Sequence, residues 1–299
     1  MLKLIKKIFN REKTVNSFIP TYIQILESKN LKLKTLNDKK LHLSRFTSAL
    51  GHRLLDDIKP IDVINLTQPL VEQGKHNSAR KLYWNIKEFY SEAIIHGLCE
   101  SSPLTHIKPP RDSVKRNRLA TKDFLTMLQA SKQLNRKKWF YLALLLAVIT
   151  GQRRHDISKM KFSDIWDGYL HIKQQKTGAM VALPIDLRLD VIGMSINDVV
   201  SLCKIGNNSE FLLVHKNSSQ VRPHSLSDGF RTLYVDCFGE WEKEGTQPSF
   251  HEIRSLSERL YREQGINTQV LLGHKRASMT DMYNDDRGLS SKDWKRLKL

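Results

Sequence analysis

Apolar residues recur at helical spacing through the first hundred positions. Phe18, Tyr22, Ile25 and Leu26 share one face of a helix predicted over Val15–Ser28. A second helix, Thr35–Leu50, carries Leu36, Leu41, Leu43 and Phe46 and stops at Gly51. Ile61–Val71 is a third, ending near Gly74. The fourth, Ser78–Ile95, sets Leu82, Tyr83, Ile86, Phe89, Tyr90 and Ile94 inward and closes at Gly97. Four helices with short joints predict a small helical domain over residues 15–106.

The pattern then changes. Ile107–Arg118 holds two prolines and five basic residues, which favours an extended linker suited to a phosphate backbone or simply to solvent. A cap at Thr121-Lys-Asp-Phe opens a helix to about Ala130. Lys138–Thr150 is apolar nearly all round and predicts a buried helix. Gly151-Gln-Arg-Arg154 leads into a short helix ending near Met160. The period drops to two at Tyr169–Lys173, turns at Lys176-Thr-Gly178 and returns over Met180–Leu183. Helices follow at Leu226–Phe238, His251–Glu263 and Thr268–Leu272. The expected fold is therefore mainly α with a small antiparallel β-sheet, in two domains.

Length agrees, since 299 residues allow about two domains at roughly 150 each. The apolar fraction of 40% and charged fraction of 27% are ordinary for a globular chain. The longest apolar run, Tyr141–Ile149, is far short of the roughly 18 residues a bilayer needs. Met1–Asn10 is basic and amphipathic but leads into no apolar signal region, so no secretory signal is read, and binding to a membrane surface is the minor alternative. Cys99, Cys203 and Cys237 are far apart, which argues against a disulfide framework or a zinc module and fits a reducing cytosol.

Charge is the first functional clue. Lys and Arg number 49 against 31 Asp and Glu, a formal net charge of +18. Residues 1–118 carry 22 against 11 and the remainder 27 against 20, so the excess is not confined to one tail. Such a chain attracts polyanions, and nucleic acid is the commonest large one.

Four clusters carry candidate chemistry. Thr150-Gly-Gln-Arg153 puts an arginine where a buried helix meets a short one, either to grip an anion or to snorkel outward. Lys176 at a hairpin tip is either a solvated turn residue or a mobile cation that donates a proton. His251-Glu-Ile-Arg254 opens a helix, and positions i and i+3 share a face near an anion-favouring N-terminus. The alternative is a capping His and a surface Arg. A zincin is excluded, because Ser255 stands where HExxH needs its second His. Leu271-Leu-Gly-His274 is followed nine residues later by Tyr283, a residue type that normally packs half-buried after a helix.

In this order the clusters resemble the active-site series of the tyrosine recombinases, most closely the lambdoid phage integrases. Ala147-Val-Ile-Thr-Gly-Gln-Arg153, Lys161-Phe-Ser-Asp-Ile165 with Asp167-Gly-Tyr169, and Lys176-Thr-Gly178 look like that group. So do Phe250-His-Glu-Ile-Arg-Ser-Leu256, Leu271-Leu-Gly-His-Lys275 and Met282-Tyr-Asn-Asp-Asp-Arg-Gly288. The likeness is dense over the second half and looser over the first, spanning residues 15–290 together.

The resemblance implies a site-specific DNA recombinase, acting in integration and excision of mobile DNA through a 3′-phosphotyrosine. It implies a core-site DNA-binding domain over 15–106, a linker over 107–118 and a catalytic domain over 119–288. The two domains would close as a C-shaped clamp around the duplex, flanked by a basic tail at 1–14 and a terminal segment at 289–299. Arg153 and Arg254 would hold the phosphate, with Arg154 outward or paired elsewhere. Lys176 would protonate the leaving 5′-oxygen and His251 would assist proton transfer at the nucleophile. His274 would donate to the phosphate, and Tyr283 would attack it. Neither cofactor nor metal is implied. The implied partners are double-stranded DNA bearing core-type sites, a homotetramer on DNA, DNA-bending accessory proteins and an excisionase. The implied location is the bacterial host cytoplasm, with the nucleoid. The group's extra amino-terminal domain, which binds arm sites, has no counterpart in Met1–Asn10, too short for a small folded domain. Two rival readings stay open here, a DNA-binding remnant with little recombination activity and a type IB topoisomerase.

Overall fold

The computed structural model describes residues 13–111, 116–133, 138–242 and 245–283. The expectations placed on residues 1–12, on 112–115, on 284–288 and on the 289–299 tail lie outside the described residues. The chain divides into two compact units, Met1–Val114 and Lys115–Leu299.

The first unit contains α1 (Val15–Ser28), α2 (Leu33–Leu50), α3 (Pro60–Glu72) and α4 (His76–Ile95). The Thr14 side chain caps α1 by accepting from the Ser17 amide, and Pro60 starts α3 with its φ already helical. Phe89 on α4 is the hub. Its ring lies 5.3 Å from Phe18, 5.2 Å from Tyr22 and 5.4 Å from Phe46, so α1 and α2 both pack on α4 through aromatic contacts.

The second unit opens with α5 (Thr121–Gln133) and α6 (Lys138–Thr150). Helix α6 is buried from Leu142 to Thr150, which its all-round apolarity requires. Short α7 (Arg154–Ile157) follows, then a sheet in the order β1 (Ile165–Trp166), β2 (Tyr169–Lys173), β3 (Met180–Pro184), all antiparallel. Asp167 and Gly168 join β1 to β2 with positive φ at both positions, the geometry a two-residue hairpin needs. The β2–β3 register pairs Lys173 with Met180, leaving 174–179 as the loop. Leu170, Ile172, Val181 and Leu183 face the core.

Beyond the sheet come β4 (Arg188–Leu189), β5 (Met194–Ser195) and α8 (Ile196–Lys204), none of them predicted above. Helix α8 is capped by Ser195 and Asp198, a Ser-x-x-Asp box that the sequence displayed. Then follow α9 (Pro223–Phe238), α10 (Glu252–Glu263), α11 (Thr268–Leu272) and α12 (Ala277–Asp281). The observed fold is mainly α with small antiparallel sheets. Cys99, Cys203 and Cys237 are unpaired. No described helix is long and apolar enough to cross a membrane.

Candidate active site

The site forms where α6, the β2–β3 loop, α10 and the α11–α12 turn converge. Gly151 ends α6 at φ +61°, a left-handed position. A Cβ there would lie 2.9 Å from Ser257 Oγ, so α10 can approach only a glycine. The chain thus turns sharply into Arg153, which precedes α7 in extended conformation. Arg153 is half-buried, and its NH1 donates to Gln174 Oε1 at 2.7 Å. Arg154 faces outward and bonds Ser227, as expected of it.

Arg254 is not a surface residue. It is 1% exposed on α10. Its NH1 donates to the Gly151 carbonyl at 2.7 Å, and its NH2 donates to the Leu272 carbonyl at 2.7 Å. NH2 also lies 3.1 Å from His274 Nε2. Guanidinium has donors only, so His274 Nε2 accepts. The other ring nitrogen, Nδ1, lies 2.9 Å from Thr280 Oγ1 and carries the imidazole proton. Arg254 Nε is buried without a hydrogen-bond partner among the described residues.

Tyr283 completes the cluster. The Arg254 guanidinium sits 5.7 Å from its ring centroid, the His274 ring 5.3 Å away and the His251 ring 6.1 Å away. Two side chains hold the Tyr283 segment from outside. Ser255 Oγ donates to the Tyr283 carbonyl at 2.7 Å, and Arg118 donates to the Met282 carbonyl. Arg118, placed by the sequence at the end of a basic linker, is buried and ion-paired with Glu252 at 2.9 Å.

The electrostatics suit an anion. The His251 pKa is lowered to about 4, first by desolvation and then by Arg254, Arg153, Arg116 and Lys176. His251 keeps exposed surface, yet four cations press on it. His274 is also lowered to about 4, by burial, Arg254 and Arg153. Burial and Arg153 bring Arg254 down to about 10, so it stays charged at neutral pH. Two neutral imidazoles among converging cations make a site that a phosphate anion relieves.

All six predicted residues belong to this second unit. Arg254, His274 and His251 each lie beside Tyr283, Arg153 joins through Gln174, and Lys176 rides exposed on the loop. Sequence reasoning missed Gln152, Gln174, Arg118 and Ser255. Gln152 lay beside Arg153 in a motif already noted. Ser255 lay beside Arg254 in another such motif, and nothing local marked Gln174 or Arg118 as part of the site.

The phage integrase family model matches residues 117–288. The integrase of Enterobacteria phage P21 is 35% identical over 294 residues, covering 94% of this chain and 76% of that protein. The prophage integrase IntE of Escherichia coli K12 is 36% identical, covering 92% and 74%. This chain belongs to the phage integrase family. As a member it is a tyrosine-type site-specific recombinase, and the remnant and topoisomerase readings are not favoured. The recombinase also matches a solved lambda integrase tetramer bound to a Holliday junction. The TM-score there is 0.87 at 31% identity, covering 99% of this chain and 83% of that one. A lambda integrase dimer bound to a COC′ core site matches with a TM-score of 0.86 at 32% identity, covering 96% and 80%.

Proposed function

We propose that the cluster cuts and rejoins DNA by transesterification at Tyr283. The supporting observation is that the Tyr283 ring stands among Arg254, His274 and His251 of its own chain. The Tyr283 oxygen attacks phosphorus, the bond from phosphorus to the 5′-oxygen breaks, and a 3′-phosphotyrosine forms. A phenol of ordinary pKa near 10 needs help losing its proton. His251, held neutral by desolvation and then by its cationic neighbours, is the acceptor. Lys176 supplies the proton to the departing 5′-oxygen. The ester keeps the bond energy, so a partner strand's 5′-hydroxyl can reverse the step.

Arg153 and Arg254 grip the non-bridging oxygens, where their planar donor forks fit phosphate. Losing one such grip would cost about 2.7–4 kcal/mol in the transition state, by analogy with oxyanion-hole donors. His274 positions the Arg254 NH2 group while DNA is absent. Donating to phosphate requires its Nε2 to gain a proton, which a bound anion favours.

The substrate is double-stranded DNA with core-type sites, bound as dimers and recombined in a tetramer. The helical unit, residues 15–106, reads the core site, and 107–118 links it to the catalytic residues 119–288. DNA-bending proteins and an excisionase assist in the bacterial cytoplasm at the nucleoid. Support comes from the net charge and from the likeness to lambda integrase in DNA complexes.

The test incubates the protein with supercoiled plasmid in EDTA, stops with SDS and looks for protein on a 3′ end. Tyr283→Phe keeps the ring and removes the nucleophile. Adduct in the wild type alone is expected. Equal adduct in both would overturn the assignment of Tyr283, and none in either would favour a binding-only protein.

A further inference from the structure

The Gln174 amide is buried at the centre of the cluster, 1% exposed, on a residue no motif singled out. Its Nε2 donates to Gln152 Oε1 at 2.8 Å and to the Leu272 carbonyl at 2.9 Å. Its Oε1 accepts from Arg153 NH1 at 2.7 Å and from Thr177 Oγ1 at 2.8 Å. The orientation is unambiguous, because a carbonyl only accepts and a guanidinium only donates. A neutral amide has two donor hydrogens and two acceptor lone pairs on that fork, and all are engaged.

Each partner belongs to a different part of the machinery. Arg153 is one phosphate ligand. The Leu272 carbonyl also accepts from Arg254, the other ligand, and sits two residues before His274. Thr177 is the neighbour of Lys176 in the β2–β3 loop. That loop is closed on the same residue, since the Gly178 amide donates to the Gln174 carbonyl at 2.8 Å. Gln152 in turn donates to the Leu271 carbonyl at 2.9 Å. An arginine that meets phosphate and a loop that delivers a proton are thereby set in one register by one side chain.

We propose that Gln174 is a positioning residue that locks Arg153 and the Lys176 loop together, coupling the phosphate grip to leaving-group protonation. It touches no substrate. Glu is not a substitute. A carboxylate would place an oxygen against the Gln152 and Leu272 oxygens, and its charge would draw Arg153 away from phosphate.

The proposal rests on the recombinase reading, so the experiment separates the two. Core-site duplex is first selected from random DNA by retention on the wild-type protein. Single-turnover cleavage is then followed with an ordinary 5′-oxygen and with a 5′-bridging phosphorothiolate, which leaves without a proton. Thr177→Val, at an exposed loop position, removes the bond to Gln174 and a long one of 3.4 Å from the Ala179 amide, and keeps the core. It is expected to cleave ordinary DNA about 2–10-fold more slowly, the range for one net hydrogen bond, and to recover on the phosphorothiolate. Gln174→Met should be slowed further and recover only in part, because Arg153 is loosened as well. DNA affinity should fall less than the cleavage rate for Thr177→Val, because the bonds lost there lie within the protein. Amide hydrogen exchange over residues 174–179 should rise in both, which needs no activity.

Wild-type rates for Thr177→Val with unchanged exchange would overturn the proposal. So would losses that the phosphorothiolate leaves untouched in both variants. If the wild type forms no adduct on any selected duplex, the recombinase reading fails, and exchange over the loop still decides Gln174.

Discussion

His274 is the residue whose protonation the structure constrains most tightly. Its Nε2 accepts from Arg254 and its Nδ1 faces Thr280, so a second proton would confront a buried guanidinium. The folded pKa of about 4 lies below the ordinary value of 6.5. Between those values the unfolded chain binds the proton and the folded one does not, so stability rises with pH across this window and falls as pH drops. At about pH 5 the cost relative to pH 8 is about 2 kcal/mol from this group alone, a little over half of the roughly 3.4 kcal/mol that the full shift carries. The ring is 7% exposed, so little solvent screening reduces that figure.

His274→Gln supplies a neutral acceptor for Arg254 that does not titrate. Urea unfolding of both proteins at about pH 8, 6.5 and 5 should show the wild type losing about 2 kcal/mol more than the variant on acidification. Proton NMR should find the His274 ring titrating near 4, with nitrogen shifts of an Nδ1–H tautomer. Bound DNA should raise that pKa, because phosphate stabilises the imidazolium. A ring that titrates near 6.5 in the free protein, or identical pH slopes in the two proteins, would refute the reasoning.

Other perturbations follow from the same geometry. Lys176→Ala should slow cleavage of ordinary DNA and be rescued by a 5′-phosphorothiolate; a gain no larger than the wild type's would remove it as the general acid. Gly151→Ala should lower stability by about 1–2 kcal/mol from its positive φ, more if Ser257 does not yield, as measured by thermal unfolding. Ser255→Ala frees the Tyr283 carbonyl at a cost of about 1 kcal/mol and should slow adduct formation while core-site binding holds; equal adduct rates would show that Arg118 alone holds the segment.

Much of this protein was legible along the chain. Helix α1 spans Val15–Ser28 as its periodicity predicts, and α6 spans Lys138–Thr150 as its all-round apolarity predicts. The β2–β3 hairpin was marked by its period of two and by Lys-Thr-Gly at its turn. The candidate chemistry was marked by resemblance, since Arg153, Lys176, His251, Arg254, His274 and Tyr283 follow one another in the order of the tyrosine recombinases. Helix α8 and several of the short elements escaped notice. Strands β4 and β5 have two residues each, too few for any period to show, and α12 has five.

What only the tertiary structure decided is which polar atoms face one another. Arg254 could have been a surface residue from its sequence, and three partners drawn from α6 and the α11–α12 turn make it a buried one. Gln174 reaches Gln152 across 22 positions and Leu272 across 98. No local pattern encodes such a meeting. Periodicity reports which side of an element leaves water, because apolar side chains are driven from water whatever they pack against. A hydrogen bond depends on the position of a second atom, and only the folded chain brings that atom near.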